Sequence, residues 1–300
     1  MKRSVSTISD EIKRNVVHGG YNAKKAAHKA YVRRKQAKYQ GMKIVGHDTL
    51  RKRVEELLKE GRSPESIAGR ISRHEKKLPS ISGDSIERFL RSVYGRKIEA
   101  LRKKLKATRK WHHRRKKVTE ITNRKFIDTR PPVIDRRGRV GDAEVDFIVS
   151  GKEGRGILLT VADRKLRVSF LEQILTVTIR EVEHACLRIK TRYPEWRTMT
   201  TDNDVLWQHH EQLEGLLSIS IYFCHPYHSW EKGTIENTNG EVRKDIPKGS
   251  DLSKYSKQFV KKVETKLNNR FMECLKFHTP QEKLEQHRAR KKLPKTKKSP

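Results

Sequence analysis

The chain has 300 residues, and its 70 Lys and Arg against 36 Asp and Glu give a formal net charge of +34. A compact domain with this charge repels itself, so we expect a large polyanion as its partner. No run of 18 apolar residues is present and MKRSVSTISD has no apolar core, which excludes a membrane-spanning helix and a signal peptide. We therefore expect a cytoplasmic protein with three reduced, buried cysteines, Cys186, Cys224 and Cys274.

The positive charge is concentrated at the two ends of the chain. Residues 1–125 carry a net charge of +25, residues 126–286 carry +2, and residues 287–300 hold seven basic and no acidic side chains. The nearly neutral segment is long enough to bury a substantial core. We expect the front and the tail to contact nucleic-acid phosphates, although charge alone does not choose between DNA and RNA.

The first helical signal lies at the start of the chain. The segment SVSTISDEIKRN (4–15) predicts a capped helix with Ile8 and Ile12 directed inward. Lys13 and Arg14 then lie on the outward face, where they are available to DNA.

Three further short helices are predicted between residues 48 and 95, each with an apolar stripe at helical spacing. The stripes are Leu50, Val54, Leu57 and Leu58; Ile67, Ala68 and Ile71; and Ile86, Phe89, Leu90 and Val93. Gly61 ends the first helix, and Ser63 with Pro64 begins the second. This pattern favours a helix-turn-helix whose last helix presents Arg88 and Arg91 to DNA. The alternative is a small helical bundle with ordinary solvated charges.

A basic segment separates this helical region from the neutral one. Residues 101–119 contain ten basic and no acidic side chains. We interpret residues 101–125 as a linker or helix on nucleic acid, with Arg114 and Arg115 as DNA contacts. The paired prolines Pro131 and Pro132 favour extended chain, and a second domain is expected to begin near residue 126.

The neutral segment predicts alternating strands and helices. Residues 142–171 indicate three strands in meander order, followed by a helix, a short strand leading to Asp202, a helix over 205–217, a strand over 218–223 and a helix over about 232–244. Ile235 and Val242 are expected inward on the last helix. The order βββαβαβα, with acidic residues in the first strand and after the fourth, indicates an α/β ribonuclease-H-like core.

Three carboxylates in this segment suggest chemistry. Asp146 lies in the apolar run AEVDFIV, where a charge is costly unless it binds something. Asp202 follows a strand end, and Glu236 lies in a helix-compatible polar segment. Carboxylates converging from separate elements can hold two Mg²⁺ (or Mn²⁺) ions, and such a pair activates water or a 3′-hydroxyl against a phosphodiester. Buried structural carboxylates are the alternative.

Seven sequence blocks, in order, resemble the IS30 family of bacterial insertion-sequence transposases. The blocks are STISDEIKRN, GYNAKKA, LLKEGRSPESIAGRI, RPPVIDRRGRVGDAEVDFIVSG, TTDND, HPYHSWEKGTIENTNGEVRKDIPKGSDLS and LNNRFMECLKFHTPQE. The resemblance implies that Asp146, Asp202 and Glu236 are the catalytic, metal-binding triad of a DDE recombinase. Glu144 matches a frequent acidic neighbour. Between Asp202 and Glu236 lie 33 residues, which agrees with the family's spacing.

The resemblance also implies an activity and partners. It implies Mg²⁺-dependent cleavage of double-stranded DNA at element ends, followed by strand transfer into target DNA, by a homo-oligomer at the bacterial nucleoid. Lys232, Asn237, Asn239 and Arg243 are expected to contact DNA. Two alternatives belong to other classes: a noncatalytic DNA-binding remnant of a transposase, and a general ribonuclease-H-like nuclease, which leaves the basic front unexplained.

Among the departures of the chain from the family pattern, one lies beside the predicted triad and another at the start of the chain. Asp204 stands where the family usually has glycine, and it adds a negative charge beside Asp202. The first block resembles the recognition helix of the family's first helix-turn-helix, but only three residues precede it. We therefore expect an N-terminally truncated copy or a misassigned start codon.

These interpretations divide the chain into five parts. Residues 1–44 are expected to hold the remnant of the first helix-turn-helix and a basic helical segment, and residues 45–100 the DNA-binding helix-turn-helix domain. Residues 101–125 form the basic linker, residues 126–286 the integrase-like catalytic domain, and residues 287–300 the basic tail.

Overall fold

The computed structural model describes residues 4–17, 19–37, 42–105, 121–226 and 228–292, and the chain separates into two compact units, Met1–Lys104 and Leu105–Pro300. Arg114 and Arg115 lie outside the described residues. Within these residues, no helix is sufficiently long and apolar to cross a lipid bilayer.

The first unit is helical. Its elements are α1 (Val5–Asn15), the two-residue strands β1 (Val16–Val17) and β2 (Gly20–Tyr21), α2 (Ala23–Ala37), α3 (Met42–Val45), α4 (Asp48–Lys59), α5 (Pro64–His74), α6 (Gly83–Arg91) and α7 (Arg96–Leu105). Helix α1 begins as expected, because the Ser4 hydroxyl accepts a hydrogen bond from Thr7 N at 3.3 Å. The expectation that Ile8 and Ile12 point inward is wrong, since their side chains are 49% and 42% exposed. An apolar stripe shows which residues share a face, but not what covers that face.

Helices α4, α5 and α6 form the expected three-helix arrangement. Leu50, Ile67 and Phe89 are among its fully buried side chains, and Ser63 caps α5 by accepting a hydrogen bond from Ser66 N at 3.2 Å. Val93 was expected in the third apolar stripe but is 72% exposed. Helix α6 ends at Arg91, and Ser92 adopts an extended backbone, which breaks the helical register before Val93.

The second unit contains a mixed sheet flanked by helices. Its elements are α8 (Pro132–Asp135), β3 (Asp142–Val149), β4 (Ile157–Asp163), β5 (Ser169–Ile174), α9 (Ile179–Arg192), β6 (Thr198–Thr201), α10 (His210–Leu217), β7 (Ser220–Phe223), α11 (Gly233–Val242), α12 (Lys257–Asn268) and α13 (Pro280–Lys292). The strand order is β5-β4-β3-β6-β7. Strands β3, β4 and β5 pair antiparallel, whereas β6 pairs parallel with β3 and β7. This is the ribonuclease-H-like topology that the sequence predicts.

Alternate side chains along the strands point to opposite faces of the sheet, and each face has its own hydrophobic core. Val145 and Leu159 pack on the face covered by α9 and α10. Ile148 and Leu158 pack on the opposite face with Val242 of α11 and with side chains of α12. Successive strand residues point to opposite faces, so Glu144 and Asp146, which share the parity of Ile148, face the α11 side.

The C-terminal end of the chain differs from the sequence prediction. Helix α13 continues to Lys292, so the first residues of the predicted basic tail are helical. In that stretch Arg288 pairs with Glu195 at 2.9 Å.

The free thiols of Cys186 and Cys224 are buried, as expected, but that of Cys274 is exposed. Cys274 lies in a short 3-10 turn at the surface rather than in a core element.

Gly141 directly precedes the central strand β3. Its amide donates to the buried Asp163 carboxylate at 2.8 Å, and its carbonyl accepts from Arg197 N at 2.7 Å. Its φ is +102°, and a Cβ atom built there would lie 1.9 Å from the carbonyl oxygen of Glu195. This junction therefore requires glycine for both conformation and space.

We expect Gly141→Ala to lower the free energy of unfolding of the second unit by at least about 3 kcal/mol, because it combines a strained φ with a backbone clash. Gly215→Ala is the matched control, since a Cβ atom there meets nothing within 4 Å inside helix α10. It should be neutral or up to about 1 kcal/mol stabilising. Urea unfolding followed by circular dichroism measures both; equal midpoints for the two variants would contradict this account.

Candidate active site

Asp146 lies in the middle of the central strand β3, with its side chain 25% exposed. Burial is the largest influence on its carboxyl and, with the neighbouring Asp202, raises the pKa of Asp146 above its usual value, although Lys232 acts in the opposite direction. A carboxylate that is so poorly solvated needs a cation or hydrogen-bond donors nearby.

Asp202 directly follows β6, the parallel neighbour of β3. Glu144 pairs with Thr200 across these strands, and the same register continued by two residues brings Asp202 beside Asp146. The Asp202 side chain is 47% exposed, yet its Oδ1 atom is buried without a hydrogen-bond partner among the described residues. Two acidic residues predicted from separate sequence blocks therefore meet where β6 ends beside the middle of β3.

Lys232 joins these two carboxylates. Its Nζ atom lies 3.2 Å from Asp146 Oδ1 and 3.6 Å from Asp202 Oδ2, and its side chain is only 8% exposed. Burial acts to lower the pKa of Lys232, but the attraction of the two aspartates outweighs it and raises the pKa above its usual value. The ammonium group thus supplies a positive charge between the two acids.

Asn239 holds the other oxygen of Asp146. Its side-chain amide donates to Asp146 Oδ2 at 2.7 Å, and its own Oδ1 accepts a hydrogen bond from the Thr160 hydroxyl at 2.9 Å. Thr160 lies directly opposite Asp146 in the β3–β4 pair. Strand β4 and helix α11 together orient this carboxylate.

Glu236 lies on the first turn of α11, between Lys232 and Asn239. Lys232 is the N-cap of the helix, and the spacing 232, 236 and 239 places the three residues on one helical face. Glu236 is exposed and, in the part of the chain that the structure describes, its carboxylate makes no hydrogen bond or ion pair. The third predicted acid therefore lies on the helical face that also carries Lys232 and Asn239, the two residues that contact Asp146.

Glu144 has a different role from Asp146, although both side chains lie on the same face of β3. Its side chain is 1% exposed, and its Oε2 atom accepts hydrogen bonds from Thr234 N at 2.8 Å and Ile235 N at 2.9 Å. Its Oε1 atom pairs with the buried guanidinium of Arg164 at 2.6 Å. Amides in the first turn of a helix lack intrahelical partners, so this carboxylate caps α11 and ties it to β3. The alternation of acids in DAEVD signals the shared face, but not this capping contact.

The loop between β7 and α11 is held by a histidine. His225 lies between two carboxylates, with Nδ1 3.0 Å from Glu231 Oε1 and Nε2 2.8 Å from Asp128 Oδ2. The hydrogen bond with Glu231 is the largest of the influences that raise the pKa of His225 above its usual value. Ligand atoms of His225, His228 and Glu231 lie within 4.8 Å of one another. Neither residue type nor spacing in the sequence predicted this cluster, which fixes the loop that leads to Lys232.

Asp204 and Asn203 lie on the other side of Asp202. Asp204 Oδ1 accepts a hydrogen bond from Leu206 N at 3.1 Å and so caps a short 3-10 helix, Val205–Trp207. Asn203 donates to Cys224 O at 2.8 Å, and its Oδ1 accepts from Arg124. The acidic residue in place of the usual glycine therefore has a local structural partner.

The predicted DNA contacts occupy several different environments. Lys13, Arg14, Arg88, Arg91 and Asn237 are exposed. Arg243 donates to the carbonyl oxygens of Pro247 and Val149 at 3.2 and 3.3 Å. Lys232 and Asn239 face Asp146, as described above. A role of any of these side chains in DNA binding stays a prediction.

Comparison with known proteins identifies the family. A transposase for the insertion sequence element IS4351 of Bacteroides fragilis is 37% identical over 290 residues, which cover 94% of this chain and 86% of that protein. The transposase InsI for insertion sequence element IS30A of Escherichia coli (strain K12) is 30% identical over 298 residues, covering 95% of this chain and 76% of that protein. The chain belongs to the IS30 family of insertion-sequence transposases. The resemblance inferred from the sequence blocks is confirmed.

Other proteins that are similar to this IS30-family chain have lower sequence identity. The transposase for insertion sequence element IS1086 of Cupriavidus metallidurans is 28% identical, covering 95% of this chain and 86% of that protein. The catalytic core domain of BIV integrase has 18% sequence identity and a TM-score of 0.40, and the similarity covers 51% of this chain and 99% of that one. No protein-family model matches the chain.

We expect Glu144→Gln to lower the free energy of unfolding by about 3 to 5 kcal/mol, because it leaves the buried Arg164 without its counter-charge. An amide also offers one acceptor oxygen where the carboxylate has two. Glu153→Gln, at an exposed position in a turn, is the matched control and should stay within about 0.5 kcal/mol of the parent. Urea unfolding tests the pair, and a loss below about 1 kcal/mol for Glu144→Gln would refute the capping role.

Proposed function

We propose that this IS30-family chain is a DNA transposase. It cleaves strands at the ends of an insertion sequence and joins them to target DNA by divalent-metal phosphodiester chemistry. Asp146, Asp202 and Glu236 are its catalytic residues. One observation carries the proposal: two carboxylates from neighbouring strands share a single buried cation, while a third acid lies on the adjoining helix face.

The donor set fits a divalent metal ion. Asp146 Oδ1 and Asp202 Oδ2 both lie within 3.6 Å of one ammonium nitrogen, so these oxygens already converge on a cation. The buried Asp202 Oδ1 lacks a partner among the described residues and is a further donor. Mg²⁺ and Mn²⁺ prefer such oxygen ligands. When bound, two such ions would activate the attacking water or 3′-hydroxyl and stabilise the leaving oxygen.

The chain's own side chains prepare this site. Asn239 fixes one oxygen of Asp146, which leaves the other directed toward Lys232. Glu144 anchors the first turn of α11 and thereby the helix that carries Glu236. The exposed Glu236 carboxylate is the member of the triad most accessible to a DNA strand.

The basic front supplies DNA affinity in this proposal. Residues 45–100 form the helix-turn-helix domain that binds element ends, with Arg88 and Arg91 exposed on α6. Residues 1–44, the linker 101–125, the catalytic domain 126–286 and the tail 287–300 complete the proposed organisation. Transposition requires two ends to be held together, so we propose a homo-oligomer on DNA. A protein acting on a bacterial chromosome would work at the nucleoid.

We expect Asp146→Asn, Asp202→Asn and Glu236→Gln each to reduce strand cleavage by at least about a hundredfold, because each removes a charged metal ligand. DNA binding should remain near the parental level. Glu211→Gln changes an exposed acid in the first turn of α10 and serves as the control, with cleavage close to that of the parent. The assay uses labelled duplexes from the ends of the encoding element with Mg²⁺ or Mn²⁺.

Two results would change the assignment. If Glu236→Gln nicks DNA as well as the parent does, Glu236 is not a metal ligand. If the parent shifts the duplex but never cleaves it with either metal, the chain is a noncatalytic DNA-binding protein.

DNA affinity should depend steeply on salt. If about eight phosphates are neutralised, the slope of log affinity against log salt concentration is about −7. Fluorescence anisotropy with a duplex of unrelated sequence, from about 50 to 200 mM salt, measures this slope. A slope near zero would show that phosphate contacts do not supply the affinity.

A further inference from the structure

The Lys232 side chain occupies the position where a divalent cation would bind. Its ammonium lies 3.2 Å from Asp146 Oδ1 and 3.6 Å from Asp202 Oδ2, and the residue is 6% exposed. The second oxygen of Asp146, Oδ2, already accepts a hydrogen bond from the side-chain amide of Asn239. A metal ion that takes the two facing oxygens must therefore displace this ammonium.

We propose that Lys232 is an internal counter-cation that competes with the divalent metal and couples metal binding to DNA binding. The inference rests on the proposed function, since it takes Asp146 and Asp202 as metal ligands. Without metal, the ammonium offsets the repulsion between the two acids and holds them together. Upon metal binding, it leaves the carboxylates and pairs with a phosphate of the bound DNA.

The chemistry of lysine suits this exchange. An ammonium is a point charge on a flexible four-carbon stem, so rotation of the stem moves the charge without moving the backbone. The backbone of Lys232 is itself held at the N-cap of α11, next to the turn that Glu144 anchors. The charge can therefore shift while Glu236 stays in place.

Charge balance explains why DNA would favour the exchange. Lys232 is almost fully buried, and an ammonium that is displaced from the two carboxylates but stays inside the site is costly unless it finds another anion. The DNA phosphate that approaches the metal ligands supplies that anion. By linkage, metal and DNA then increase each other's affinity by the same factor.

The test is isothermal titration of Mn²⁺ into the full chain without DNA. Lys232→Met should bind Mn²⁺ about tenfold more tightly than the parent, because the competing charge is gone. Lys232→Gln keeps a polar side chain without the charge, and its affinity should change in the same direction. Lys244→Met removes an exposed lysine that pairs with Glu241 at 2.7 Å, and it should stay within about twofold of the parent because it controls for net charge alone.

Two further readouts separate this role from a purely structural one. In the metal-free state, Lys232→Met should melt at a lower temperature than the parent, and saturating Mn²⁺ should remove the difference. Adding duplex DNA should tighten Mn²⁺ binding in the parent but leave the affinity of Lys232→Met nearly unchanged. A lysine that only supports the fold would instead weaken metal binding when replaced.

The outcomes are distinguishable. Equal or weaker Mn²⁺ binding by both Lys232 variants, with parental binding still abolished by Asp146→Asn, overturns this inference and leaves the proposed function intact. A DNA-induced gain that persists in Lys232→Met overturns the coupling. Parental Mn²⁺ binding that is insensitive to Asp146→Asn and Asp202→Asn overturns the proposed metal site, and this inference with it.

Discussion

The buried Glu144 carboxylate is the contact on which the geometry of the candidate site depends. It joins the central strand to the first-turn amides of α11 and to the buried Arg164 guanidinium. Burying this charge is unfavourable, but two amide donors and an ion pair offset the lost hydration. Because Glu144 lies within β3 and the two amides lie within α11, the contact holds α11 in one register against β3. Lys232 and Asn239 then contact Asp146, and Glu236 lies on the same helical face.

The local electrostatics of the site differ from those of the whole chain. The protein carries a net charge of +34, but the segment that holds the site is nearly neutral. Within it, Asp146 of β3 and Asp202 after β6 lie side by side and share the charge of Lys232. The clustered acids are therefore balanced by one specific lysine of the same segment. In the proposed function, this separation of charge along the sequence lets one chain combine a basic DNA-binding front with a cluster of metal-binding carboxylates.

Much of the fold was predictable because strand and helix periodicities are local properties. Alternation in β3 and the apolar run of β4 located the central strands, and the stripe through Leu50 and Leu57 located α4. The errors occurred where burial depends on distant partners. Ile8 and Ile12 form an apolar stripe that is exposed, Val93 lies beyond the end of its helix, and Cys274 lies in a surface turn. For Ile8, Ile12 and Val93 the sequence pattern identified a face, but the covering element or the end of the helix set its exposure. The burial of Cys274 was predicted without any such pattern.

The sequence by itself determined the family, the order of the elements and the three acids proposed as catalytic residues, because these follow from residue type, spacing and resemblance along the chain. Only the tertiary structure decided how those acids are held. It distinguished Glu144, which caps a helix, from Asp146, which shares a cation, although the two lie only two residues apart on one strand face. It also placed Lys232 between two carboxylates that are 56 residues apart in sequence. Such roles arise from contacts between β3, the end of β6 and α11, and contacts between segments that are far apart in sequence leave no local periodicity.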